Sequence, residues 1–231
     1  MPSALVTGGS RGFGLALSKE LVARGWTVVV DGRDVGVLRA AASSLGAIAV
    51  PGDVSDPTHR RELQSVVERL GALDLLVNNA SSLGVSPLPP LERYPLEALE
   101  SVYRVNLFAP LALTQGLLPA LQRARGTVVN MTSDAAVEAY SGWGGYGSSK
   151  AALDQLSAIL AAEQPEIRVY AFDPGDMLTE MHQRAFPGED ISDRARPETV
   201  VPALMHLLEH LPDSGRYRAS DLLADAARAR P

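Results

Sequence analysis

The chain has 231 residues, 46% of them hydrophobic and 21% charged, with a formal net charge of -6 and no cysteine. This composition supplies a sizeable core and excludes global disorder, while the missing thiols exclude disulfides, thiolate catalysis and cysteine-ligated zinc. An acidic balance without a dense Lys/Arg run argues against nucleic acid as a partner, and no apolar run reaches the roughly 18 residues of a membrane span.

In chain order, short apolar runs alternate with longer amphipathic stretches. Strands are predicted at Ala4–Thr7, Thr27–Asp31, Ala47–Pro51, Leu73–Asn78, Thr127–Thr132 and Arg168–Asp173. Most carry apolar residues on both alternating faces, as strands buried between two helical layers do. Helices are predicted at about Gly12–Arg24, Val35–Leu45, Pro57–Leu70, Leu96–Ala124 and Gly145–Glu163. Asp56-Pro57 reads as an N-cap before a helix-compatible proline, Pro95 opens the next stretch in the same way, and Pro110 and Pro119 predict a kink or early stop within it. The alternation predicts one α/β domain over residues 1–231: a doubly wound parallel sheet of the Rossmann type with helices on both faces. Ala4 begins a strand almost at once, with no basic and apolar leader before it, so the expected compartment is the cytoplasm.

Directly after the first strand comes Thr7-Gly8-Gly9-Ser10-Arg11-Gly12-Phe13-Gly14, and then a helix-forming run. Glycines suit a sharp turn that lets a pyrophosphate approach the backbone, and the helix N-terminus offers free N–H groups and a positive dipole end. Gly8, Gly12 and Gly14 give G-x-x-x-G-x-G, and the lysine-terminated P-loop pattern is absent. After the second strand, Arg33 in Asp31-Gly32-Arg33-Asp34 stands where an adenosine ribose lies in such a fold; an arginine there can accept a 2′-phosphate. With Arg11 as a second cation, NADP(H) is favoured over NAD(H). Asp31 either pairs with Arg33 or repels that phosphate.

Tyr146 and Lys150 are four residues apart at the start of a helical stretch, which places both side chains on one face, about 5–6 Å apart at Cβ. A phenol titrates near 10, and bringing it to neutrality takes roughly 4 kcal/mol of preferential stabilisation of the phenolate. One ammonium at about 4 Å supplies that order of energy at an effective dielectric of about 20. Y-x-x-x-K alone is a common pattern. Ser133 sharpens it, because it ends the Thr127–Thr132 strand, at the sheet edge where ligands bind, and its hydroxyl can donate to a carbonyl oxygen.

These motifs, taken with Asp53-Val54, Asn78-Asn79-Ala80, Asn106 and Pro174-Gly175 with Thr179, resemble the short-chain dehydrogenases/reductases, the branch of roughly 250 residues, over about residues 4–180. The resemblance implies that Tyr146 is the general acid/base, that Lys150 holds the nicotinamide ribose and depresses the phenol, that Ser133 orients the substrate oxygen and that Asn106 holds a water in the proton relay. For the cofactor it implies Asp53 and Val54 at the adenine, Asn79, Ala80 and Ser81 along the adenosine ribose, and Pro174, Gly175, Met177 and Thr179 at the nicotinamide.

Three departures from the family pattern stand out: Ser81 in place of glycine, Asp176 after Pro174-Gly175, and Ser214–Ala219 in place of a C-terminal Asp-Gly-Gly strand, followed by a short tail at about 223–231. The last puts the usual tetramer in doubt and leaves a homodimer through the long helices. Tyr140 and Trp143, just before the catalytic tyrosine, are expected to wall the substrate site, and residues from about 180 to 196 to form a lid. His182 reads as a lid residue. His206 and His210 have metal-ligand spacing but no third ligand nearby, so no metal site is expected. The expected activity is NADPH-dependent reduction of a small or medium ketone or aldehyde. The alternatives are an NAD-preferring alcohol dehydrogenase and a non-catalytic dinucleotide sensor.

Overall fold

A computed structural model of the protein describes residues 1–228. Seven strands, β1 (Ser3–Val6), β2 (Thr27–Gly32), β3 (Ile48–Pro51), β4 (Leu75–Asn78), β5 (Thr127–Met131), β6 (Arg168–Asp173) and β7 (Gly215–Arg218), form one sheet in the order β3-β2-β1-β4-β5-β6-β7. Every pairing is parallel. The order reverses between β1 and β4, the switch point at which ligands sit in such sheets.

Helices α1 (Gly12–Ala23), α2 (Val35–Leu45), α3 (Pro57–Leu70), α4 (Leu96–Tyr103), α5 (Ala109–Ala124), α6 (Gly144–Glu163), α7 (Glu180–Ala185), α8 (Pro197–His210) and α9 (Ala219–Arg228) cover both faces. Strand periodicity divides the core. Ala4 and Val6 of β1 face α1 and α8, whereas Leu5 between them faces Leu63 of α3 and Leu113 and Leu117 of α5. The boundaries of α2 and α3 coincide with the sequence expectation. Asp56 caps α3 by accepting from the Thr58 N–H at 2.7 Å, as its side chain and the following proline require.

The stretch expected as one helix from Leu96 to Ala124 is interrupted earlier than the prolines suggested. Arg104–Phe108 form a π turn in which the Ala109 N–H reaches back five residues to the Arg104 carbonyl. Pro110 has no N–H to return to the carbonyl of Asn106, four residues before it, and the wider turn accommodates that loss. Pro119 lies within α5 itself.

Strand β7 and helices α8 and α9 were missed. Gly215-Arg216-Tyr217-Arg218 has no apolar alternation to mark an edge strand. The expected tail is helical up to Arg228, with Leu222 buried; its last residues, 229–231, lie outside those described. A buried polar ladder crosses the sheet at its C-terminal side: Asn78 and Asn130 stand in register, the Asn78 amide donates to Asn130 Oδ1 at 2.7 Å, and the Asn130 amide donates to Ser157 of α6 at 2.8 Å.

Candidate active site

The glycine turn is built to receive an extended phosphate group. Gly8 and Gly12 adopt φ of +66° and +54°, a region costly for other residues. A Cβ on Gly14 would come within 2.5 Å of the Gly8 carbonyl oxygen, so the helix start can lie against the turn only with glycine there. At the cap of α1, Arg11 offers no side-chain acceptor and the first turn holds no acidic residue. The opening N–H groups therefore remain for an anion. These features fit a dinucleotide pyrophosphate.

The side chains around the turn divide into holders and contacts. Asn79, expected along the ribose, spends its amide on the Thr7 and Gly8 carbonyls at 2.8 and 3.3 Å, and the Ala80 N–H donates to the Thr7 hydroxyl at 2.9 Å. Phe13 stacks on Phe172 in the core, with ring centroids 6.1 Å apart, so only its backbone faces the turn. Ser10 lies against Gly32. Arg11 is ion-paired with Glu180, the first residue of α7. Arg33 is exposed and has no ion-pair partner among the described residues.

Asp31 neither pairs with Arg33 nor faces outward. Buried beneath the turn, it accepts the Gly8 N–H at 2.6 Å, and its other oxygen accepts from His59 Nε2 at 3.1 Å. Because a carboxylate can only accept, the proton of His59 sits on Nε2; Glu62 approaches Nδ1 at 3.8 Å. Gly52 makes room for this ring, since a Cβ there would lie 2.1 Å from Nδ1. Nearby, partial burial raises the Asp53 carboxyl, but the Ser55 hydroxyl and N–H, with Arg33 and His59, outweigh it and hold the group below its usual value. One oxygen of Asp53 takes both Ser55 donors, and its other oxygen has no hydrogen-bond partner among the described residues. Val54 is buried beside it.

Helix α6 delivers Tyr146 and Lys150 together, both buried. Lys150 Nζ stands 5.5 Å from the Tyr146 ring centroid and donates to the Met131 carbonyl at 2.7 Å. Burial dominates the electrostatics of both groups. Burial, aided by Asp173 and Asp134, pushes the Tyr146 pKa above the ordinary range, while the Ser81 and Ser133 hydroxyls act in the opposite sense. Burial also pushes Lys150 down to about 8, opposed by Asp154. Desolvation favours the neutral form of each group, so the phenol is held as an acid. Ser133 lies beside it with its hydroxyl donating to Asp134 at 2.9 Å.

Asn106 stands on the π turn with its side chain fully committed. Its amide donates to the Ser82 carbonyl and the Ser149 hydroxyl, both at 2.9 Å, while Oδ1 accepts from the Ser82 N–H at 2.7 Å and the Ser81 hydroxyl at 3.2 Å. The side chain therefore positions the loop after β4 against α6, a clamp that composition alone did not reveal.

A cavity of about 260 Å³ opens at the C-terminal ends of β5 and β6, with Ser133, Tyr146, Trp143, Tyr140, Pro174 and Thr179 on its walls. Trp143 packs edge-on against Tyr146, with ring centroids 5.7 Å apart, and against Phe186 of the segment after α7. Tyr140 is a rim residue, 43% exposed, hydrogen-bonded to Asp134 and Glu138 at 3.0 and 2.9 Å. Gly175, at φ +72°, donates its N–H to Asp173. Met177 lines the cavity and also touches the core. Thr179 caps α7, and its methyl lies 3.6 Å from a Cβ placed on Gly12, which ties this loop to the glycine turn. Asp176 stands 3.8 Å from His182 and 3.6 Å from Arg194. A larger cavity of about 400 Å³ lies between α1, α8 and α9, with no strand end opening into it. Among the described residues no cluster of three or more His, Cys, Asp or Glu could hold a metal, and no helix is long and apolar enough to cross a membrane.

Sequence reasoning missed Asp134, Asp154, Asp173 and Arg216; the first follows Ser133 and the second lies one turn beyond Lys150, whereas Arg216 reaches the site only because β7 pairs with β6.

Comparison with known proteins agrees with this geometry. The short chain dehydrogenase family model matches residues 2–190. Sepiapterin reductase of Mus musculus is 35% identical over 199 residues, covering 78% of this chain and 76% of that protein. Among solved structures, a short chain dehydrogenase from Pseudomonas syringae has a TM-score of 0.89 at 30% identity, covering 94% of each chain. Another, from Shigella flexneri 2a and complexed with NADP, has 0.87 at 28% identity, covering 95% of this chain and 97% of its own. Sheet order, glycine turn, the Tyr146–Lys150 pair and these matches lead to one assignment: the protein belongs to the short-chain dehydrogenase/reductase family of oxidoreductases.

Proposed function

We propose that the protein is an NADP(H)-dependent reductase that interconverts a carbonyl and an alcohol, with Tyr146 as the proton donor and acceptor. The observation that carries this reading is that Tyr146 and Ser133 line one cavity, with Lys150 buried 5.5 Å from the Tyr146 ring centroid and the cavity residue Thr179 against the glycine turn. When bound, the nicotinamide supplies the hydride in reduction and takes it up in oxidation. The phenol gives its proton to the carbonyl oxygen as the carbon is reduced, and solvent returns a proton to the phenolate. Ser133 turns its hydroxyl from Asp134 to the same oxygen, while Lys150 holds the ribose hydroxyls. Arg33 meets the 2′-phosphate, and the NADP complex of the Shigella flexneri relative supports that choice. The engagement of Arg11 with Glu180 favours a weaker phosphate preference and keeps NAD(H) as a second reading.

Leu83, Trp143 and Phe186 give the cavity apolar walls, and Asp134 and Asp176 add carboxylates to its lining, which suits a small or medium carbonyl compound with an apolar body and hydrogen-bond donors. Residues from about 180 to 196 act as its lid, held by the Arg11–Glu180 pair, by the Ser86 hydroxyl donating to the Arg184 carbonyl at 2.7 Å and by a bridge between Met177 and Ala195. The chain works in the cytoplasm as a homodimer through its long helices, with Phe108, just before α5, and Ile159 of α6 55% and 43% exposed. Light scattering that gives a monomer removes the dimer.

The test is a panel of ketones, aldehydes and sepiapterin followed by NADPH absorbance. Tyr146→Phe is expected to lower kcat by about 10²–10⁴-fold; unchanged turnover rejects the tyrosine assignment. NADPH is expected to bind at least about tenfold more tightly than NADH, and Arg33→Ala to erase most of that difference. Tighter binding of NADH selects the second reading.

A further inference from the structure

The segment Ser214–Ala219, where the chain departs from its family's usual C-terminus, sends one side chain into the catalytic region. Arg216 of β7 donates from Nη2 to the Ser133 carbonyl at 3.0 Å and to Asp173 Oδ2 at 2.8 Å, and from Nε to Asp154 Oδ2 at 3.1 Å. It thus links the residue that ends β6, the helix that carries Tyr146 and Lys150, and the backbone of the serine beside them. Its own side chain is 24% exposed and those of Asp173 and Asp154 are 5% and 16% exposed. Ionic contacts here are far less screened than on the surface.

Each carboxylate acts on one catalytic group. Asp173 disfavours the phenolate of Tyr146, and Asp154, one turn beyond Lys150, favours its ammonium. The charged groups acting on Tyr146 are Asp173 at the end of β6, Asp134 after β5 and Lys150 of its own helix. Arg216 and Lys150 together offset Asp173 and Asp154, while the third carboxylate, Asp134, accepts from the Ser133 and Tyr140 hydroxyls and the Ala135 N–H. Without Arg216, one buried negative charge is left over beside the phenol that must become anionic whenever it gives up its proton.

We propose that Arg216 is a positioning residue for the catalytic centre, pairing Asp173 and Asp154 and fixing the Ser133 backbone so that a phenolate can form at Tyr146. The proposal rests on the tyrosine reading above. It assigns to the last strand of the sheet a role in proton transfer.

The test uses the full chain and the fastest alcohol of the substrate panel, with oxidation rates measured against pH. Arg216→Met is expected to lower kcat about tenfold and to move the pH at which oxidation sets in upward by about one pH unit, with the KM for the alcohol little changed. Arg216→Lys, which keeps the charge, is expected to recover most of the rate. Asp173→Asn in an otherwise native chain leaves Arg216 unbalanced and is expected to move the onset downward. Asp173→Asn added to Arg216→Met removes the surplus charge and is expected to restore rate. A merely structural role predicts the reverse, a double variant no better than the single one. If Arg216→Met does not fold, the Lys and Asn variants carry the test alone. Turnover lost in Tyr146→Phe, with an onset unmoved by Asp173→Asn and a double variant that does not recover, overturns the Arg216 proposal alone. Turnover that survives Tyr146→Phe defeats the tyrosine reading and this proposal with it.

Discussion

Burial acts in opposite senses on the two titratable groups that α6 brings together. It holds the proton on Tyr146 more tightly and the one on Lys150 less tightly, lowering the Lys150 pKa to about 8. At neutral pH the pair therefore holds an acidic phenol beside an ammonium that is close to losing its charge. Because the ammonium is the form that grips ribose oxygens and attracts phosphates, NADPH affinity is expected to be full below about pH 8 and to weaken as pH rises through it. Fluorescence titrations at several pH values check this, and Lys150→Met is expected to bind more weakly with no such step. Stability follows the same linkage with a defined sign. Between about 8 and 10.5 the unfolded chain binds the Lys150 proton and the native chain does not, so native stability gains of order 3 kcal/mol across that window and loses it as pH falls. Urea denaturation of wild type against Lys150→Met across this range measures the difference. The pair itself was legible in the sequence, since helical spacing alone puts Tyr146 and Lys150 on one face. The direction of the tyrosine shift was not, because it depends on how deeply the site is buried and on carboxylates from β6 and from the loop after β5.

At the level of elements, the turn after β1 tolerates little change. Gly14→Ala puts a methyl into the Gly8 carbonyl and the Asn79 amide, and is expected to cost NADPH binding at least about tenfold, with a loss of roughly 1–3 kcal/mol in stability; calorimetry and thermal melts separate the two effects. The buried His59–Asp31 contact supports the same turn from below. His59→Leu removes the donor to one oxygen of the buried Asp31, leaving only the Gly8 N–H on the other, so it is expected to destabilise the protein by about 1–3 kcal/mol, whereas His59→Leu with Asp31→Asn is expected to recover part of that loss. What the sequence disclosed here follows from local chemistry. Capping residues and prolines set α3, and a run of apolar residues set each buried strand. An edge strand written Gly-Arg-Tyr-Arg offers no such signal, and its arginine makes sense only once β7 lies beside β6. The π turn was half legible. Pro110 announced an interruption, but its position depends on Asn106 being drawn to Ser82 and Ser149.

Taken whole, the molecule gathers its glycine turn, the loop after β4 and the candidate cavity at the rim where its strands end. A dinucleotide spanning that rim would bridge the glycine turn, the loop after β4 and α6. NADPH at about a hundred times its Kd is expected to add about 2.7 kcal/mol and to raise the Tm by roughly 5–10 °C for a chain of this size; a melt unchanged by NADPH contradicts the binding reading. The Asn78–Asn130 pair has a consequence for how the sheet assembles. The Asn78 amide reaches Asn130 in the observed register, and a slip of one residue between β4 and β5 would separate the pair and slide Ser133 about 3.3 Å along the sheet. The ladder therefore serves as a gauge block. A chain that mismatches its central strands forfeits the Asn78–Asn130 and Asn130–Ser157 hydrogen bonds together with the placement of Ser133.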